Sequence, residues 1–146
     1  NMNSTTHYKF RGIATSAEYA DLAERYAADD EYEAGTVVRL GGTHEITQTL
    51  QEADDDVFGI VSASPGFEMN AGAGTDATHP FVALAGRVPC KVIGPVKKGD
   101  RLVSSTTPGH AQAEQKGDTI RSIVGRSLES KDSDEAGTVE VVVGAR

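Results

Sequence analysis

Apolar and polar positions change rhythm once along this chain. Through residues 16–28, apolar or small residues fall at Tyr19, Ala20, Leu22, Ala23 and Tyr26, with Glu18, Asp21, Glu24 and Arg25 between them. A spacing of three and four puts the first set on one face of an α-helix. Ser16 stands where an N-cap is wanted, and the acidic run Asp29, Asp30, Glu31 marks the far end. The pattern predicts one N-terminal helix over residues 16–28, preceded by a polar extended arm over residues 1–15 that carries the short alternation His7, Tyr8, Lys9, Phe10.

From Gly35 the period becomes that of strands and turns. Thr36, Val37, Val38, Arg39 and Leu40 precede Gly41-Gly42, then come Glu45 to Thr47, a polar loop, and Val57-Phe58-Gly59-Ile60-Val61. A second extended run starts at Phe81 and carries through Ile93 to the turn at Gly94-Pro95. The Gly- and Ala-rich stretch between, residues 65–78, is near the length at which a structureless loop is functional or mobile, and it is expected to be mobile.

An internal repeat organises these strands. Ala34-Gly35-Thr36-Val37-Val38 matches Lys98-Gly99-Asp100-Arg101-Leu102-Val103, and Val57-Phe58-Gly59-Ile60-Val61 matches Ile123-Val124-Gly125-Arg126-Ser127, in the same order and at similar offsets. Gly137-Thr138-Val139 is a third, partial echo. The expected fold is therefore mainly β: a glycine-rich barrel or two-sheet sandwich from two related halves, about 34–64 and 98–130, within a single domain over residues 16–146. Gly59 and Gly125 sit where backbones should cross too closely for a side chain.

Composition narrows the function classes. With 146 residues, 14 Lys and Arg against 22 Asp and Glu, and a net charge of −8, the chain is a poor binder of phosphate backbones or anionic lipid, so neither nucleic acid nor membrane is expected as a partner. No stretch approaches the roughly 18 to 20 apolar residues of a spanning helix. Asn1 to Ser4 lack the basic and apolar regions of a secretory signal, and a start at Asn1 reads as an excised or processed piece. The single cysteine, Cys90, lies in an apolar run and reads as a small buried hydrophobe.

No metal or cofactor is expected. His7, His44, His79 and His110 are scattered, and the acidic groups Asp54-Asp55-Asp56 and Asp132, Asp134, Glu135 read as solvated loops without the pattern of a calcium site. Ala71-Gly72-Ala73-Gly74-Thr75 lacks the Lys-Ser/Thr of a phosphate loop, and the serines at 62–64 and 104–105 lack the nucleophile elbow. Glu18, Asp21 and Glu24, three apart on the predicted helix, could bring two acids together, although an exposed acidic face is the plainer reading.

Four segments carry a resemblance: residues 14–26 with Tyr19-Ala20-Asp21-Leu22-Ala23-Glu24, residues 35–38, residues 57–66 with Gly59-Ile60-Val61-Ser62, and residues 85–92. Together they resemble the C-terminal domain of phage tail-fibre and virion structural proteins, and more distantly the self-cleaving intramolecular-chaperone domain of phage neck-appendage proteins. The resemblance implies a homotrimer that ends an appendage, located in the virion, with itself and other virion proteins as partners. It also implies, as the enzymatic alternative, an autoproteolytic endopeptidase with Asp21, Glu24 and Glu18 as its acids. The glycine-rich β pattern is similar as well to trimeric capsid decoration proteins. A host-surface receptor or glycan would be met by the loop around Phe67 to His79, a reading ranked lower because the chain has no Trp and few aromatics for stacking.

Overall fold

The structure, a computed structural model, describes residues 20–146. The expected arm over residues 1–15, and Glu18 and Tyr19 of the expected helix, lie outside the described residues. Ten strands follow in chain order: β1 (Leu22–Arg25), β2 (Val37–Leu40), β3 (Ile46–Gln48), β4 (Val57–Ser62), β5 (Phe67–Met69), β6 (Phe81–Val92), β7 (Arg101–Ser104), β8 (Ala111–Ala113), β9 (Gly125–Ser127) and β10 (Gly137–Val143).

Five of them close a barrel. β6 pairs with β10, β10 with β9, β9 with β7, β7 with β8, and β8 returns to β6 through Val92 and Ala111. Alternation fills its interior: Val88, Cys90 and Val92 of β6 are buried, with Val141 opposite Val88 and Val139 opposite Cys90 across the ladder. Leu102, Ala111, Val124 and Val143 complete this core together with Val37 and Ile60 of the neighbouring sheet.

That sheet grows from the other end of β6. Residues 81–83 pair with β4, β4 pairs with β2, and β2 with β3. The change of partner along β6 falls at Gly86, whose φ of 95° is in the left-handed region that only glycine enters freely. A second core of Ala28, Val38, Ile46, Val61 and Val82 lies on this side, packed against Tyr26, Tyr32, Phe58 and Leu84.

The two segments of the sequence repeat run through the same pairings. β2 lies antiparallel between β3 and β4, and β7 lies antiparallel between β8 and β9. Each unit opens on a left-handed glycine, Gly35 at φ 92° and Gly99 at φ 94°. The amide of each donates across to the last strand of its own unit, Gly35 N to Val61 O and Gly99 N to Ser127 O, both at 2.8 Å. The second unit supplies three strands of the barrel, and the first joins it through β4 against β6.

The helix expected over residues 16–28 is not present in its described part. Leu22–Arg25 is β1, parallel to β5 and antiparallel to β6, and Ala28 bridges to Ile46. The same residues alternate as well as they cycle: Ala23 is fully buried while Leu22 is exposed. Two neighbouring strands supply ladder hydrogen bonds on both edges of β1, which outweighs the modest helix preference of an Ala-, Leu- and Glu-rich stretch.

Cys90 is fully buried, and desolvation pushes its thiol up to about 12. Since the folded state holds this proton more tightly, stability is complete below the unfolded thiol range and declines as pH rises above it. The expected result with a thiol reagent at pH 8 is no modification of the native chain and stoichiometric modification once denaturant unfolds it. Rapid native labelling would contradict the buried, protonated assignment.

Candidate functional site

Asp21 is the most unusual polar residue among those described. It precedes β1 where the backbone of residues 20–21 passes over Gly86: a side chain at Gly86 would meet the Ala20 carbonyl oxygen at 2.6 Å and the Asp21 Cα at 2.9 Å. Only glycine allows that crossing, and it presses Asp21 inward until it is 3% exposed. The Asp21 carbonyl accepts from the amides of Gly66 and Phe67, each at 3.0 Å, and Oδ1 accepts a longer bond from Gly66 N at 3.3 Å. Oδ2 is buried with no hydrogen-bond partner among the described residues. Such an orphan is uncommon in a folded protein and is costly while it stays unpaired.

Asp21 lines a cavity of about 290 Å³ whose other walls are Ala34, Val61, Ser62, Ala63, Ser64, Val88 and Pro89. A second cavity of about 190 Å³ shares Ala34, Val61, Ser62 and Ala63 with it, and adds Glu31, Glu33 and Asp76. Two of the carboxylates lining the second cavity are already matched by cations: Glu33 meets Lys91 at 2.8 Å, and Asp76 meets Arg25 at 2.9 Å.

Of the three acids proposed from sequence, Glu18 lies outside the described residues, and the other two are not brought together. Residues three apart in an extended segment face opposite sides. Asp21 turns toward the Gly66 loop, whereas Glu24 accepts from the Tyr26 hydroxyl at 3.1 Å. Burial and the Glu24 carboxylate hold that hydroxyl above the ordinary tyrosine range. A strand thus separates Asp21 and Glu24, which a helix would have aligned.

Arg25 has a different task, which the sequence does not reveal. Its guanidinium lies 4.0 Å from the centre of the Phe81 ring, and it donates to Ala71 O, Asp76 Oδ1 and His79 O. These contacts anchor the loop over residues 65–78, read from sequence as mobile, which also holds β5 and a 3₁₀ turn at Ala71–Ala73. Among the acidic runs, Asp132, Asp134 and Glu135 are exposed, but Asp54 is buried against Arg39. No group of three or more His, Cys, Asp or Glu side chains among the described residues is placed to hold a metal ion.

The cavity walls come from stretches far apart in sequence, so no local motif announces them. Most lie within segments that carry the family resemblance: Asp21, then Val61 to Ser64, then Val88 and Pro89.

No protein-family model and no curated protein matches this chain. Among solved structures, the C-terminal fragment of gene product 12 of bacteriophage phi29 is similar at a TM-score of 0.57 and 17% identity, over 84% of this chain and 99% of that one. The N base of the phi29 head fibre protein gp8.5 is similar at a TM-score of 0.48 and 15% identity, over 84% of this chain and 93% of that one.

Proposed function

We propose that this chain is a bacteriophage virion structural module, the C-terminal assembly or capping domain of a homotrimeric tail fibre or appendage. The observation that supports it most is the likeness of fold to the phi29 gene product 12 fragment, which spans nearly the whole of that fragment. The sequence resemblance points the same way and falls on segments that converge around one cavity. Its partners are then further copies of itself and other virion proteins, and its place is the virion.

One surface suits contact between copies. Leu22 and Phe67 lie side by side across the β1–β5 pairing and are 36% and 62% exposed, and β5 pairs with no strand but β1 among those described. An apolar, half-open strand edge gains from being covered.

Native mass spectrometry of the chain, extended upstream by its natural residues, tests the reading. The expected species has three times the 15.3 kDa chain mass, increased by the extension, and Phe67→Asp shifts it to monomer while leaving the circular dichroism of the fold unchanged. A monomer from the unaltered chain would overturn the trimer. A shortened chain would instead favour self-cleavage, a reading that the separation of Asp21 from Glu24 does not support.

A further inference from the structure

The Asp21 cavity is built to receive something that the described residues do not supply. Its walls divide in two: Ala34, Val61, Ala63, Val88 and Pro89 are apolar, while Ser62 and Ser64 bring hydroxyls and Asp21 a carboxylate. Oδ2 of that carboxylate has no donor, and no cation meets Asp21 within ion-pair distance among the described residues. A mostly apolar lining that includes one unpaired acid matches a ligand with an aliphatic stem and a cationic head. We propose that this cavity is a binding site for an alkylammonium or guanidinium group, taken up as an inserted lysine or arginine side chain.

The charge distribution along the chain indicates where such a side chain is at hand. The protein carries a net charge of −8, yet its first seventeen residues hold Lys9 and Arg11 and no acid, Glu18 being the first. Residues 12–20 span at most about 30 Å when extended, enough for Lys9 or Arg11 of the same or a neighbouring copy to reach a cavity that opens beside Asp21. The chemistry of the site is the same if the cation comes from another protein, and it does not depend on the assembly proposed above.

The test is a titration of the ¹⁵N-labelled full chain with n-butylammonium and with ethylguanidinium, followed by amide chemical shifts, with n-butanol as the uncharged control. Saturable shifts are expected at Ala34, residues 62–64 and Val88, with n-butanol producing none. Asp21→Asn should weaken binding by about tenfold or more, the difference between a charge-assisted and a neutral hydrogen bond. Ala63→Phe fills part of the cavity with Asp21 intact, and should also abolish binding, so the result does not hang on how Asp21→Asn folds.

The titration of Lys9→Ala/Arg11→Ala identifies the source. Tighter uptake of n-butylammonium by this variant than by the unaltered chain means that its own N-terminal residues occupy the site. Equal uptake by both means that the cation comes from a different protein. Absence of saturable shifts in both forms, or shifts that survive both Asp21→Asn and Ala63→Phe, would overturn the proposal.

Discussion

Gly125→Ala is expected to destabilise the chain by about 3 kcal/mol and to lower Tm by about 10 °C. Gly125 opens β9 where β9 pairs with β10, and a Cβ there would be driven into the backbone of Val142, against its carbonyl oxygen, carbonyl carbon and the Cα of Val143. A backbone neighbour cannot swing aside as a side chain can. Relief requires β9 and β10 to separate, and both are staves of the closed barrel. Gly59→Ala sets the same conflict in the first unit, where the new Cβ would lie 2.6 Å from the Ala83 carbonyl oxygen on β6. Gly72→Ala serves as the control, since nothing lies within 4 Å of a Cβ at that position. Denaturant or thermal unfolding reads all three, and a Gly125→Ala protein as stable as the Gly72→Ala protein would refute the crossing.

The second large effect is expected at Arg39. Its Nε lies 2.5 Å from Oδ2 of Asp54, whose side chain is only 3% exposed, and its Nη2 reaches Asp56 at 3.1 Å. Asp54 is held from other directions too: its amide donates to Ser104 Oγ, and its Oδ1 accepts from the Asp56 amide. The pair thus fastens the loop after β3 to β2 and to β7 of the other unit. Arg39→Met leaves a buried carboxylate without its cation and should cost about 3 kcal/mol. Arg39→Met combined with Asp54→Asn should recover part of that loss, because the stranded charge is gone while the Asp56 amide keeps its acceptor. A double variant that loses the sum of the two single effects would show that the residues act independently.

Gly59 and Gly125 were legible because each interrupts an apolar run at an equivalent place in a repeat, and a missing side chain inside a strand asks for a close neighbour. The strands of residues 36–40, 57–61 and 81–93 were legible from their run of β-branched residues. Residues 22–25 were not, because Leu-Ala-Glu-Arg carries little preference of its own, and β5 and β6, which make it a strand, lie some forty and sixty residues onward. Asp54 stood in a run of three aspartates that looked solvated, and no local pattern distinguishes the one that Arg39 buries. The interest of Asp21 lies in an oxygen left unpaired beside a cavity, which depends on Gly86, Gly66 and Pro89 lying near it and which no local pattern announces.

The pairing of β6 with β10 also sets an order in time. β6 is complete at Val92, but the strand that covers residues 86–92 is β10, which begins only at Gly137. During synthesis the first unit can dock on residues 81–83 early, while the barrel side of β6 waits for β10 to leave the ribosome. Through that interval β6 offers an uncovered row of backbone donors and acceptors beside an apolar face. Chains crowded on one message would then be able to exchange β10, since each copy offers the same uncovered edge of β6.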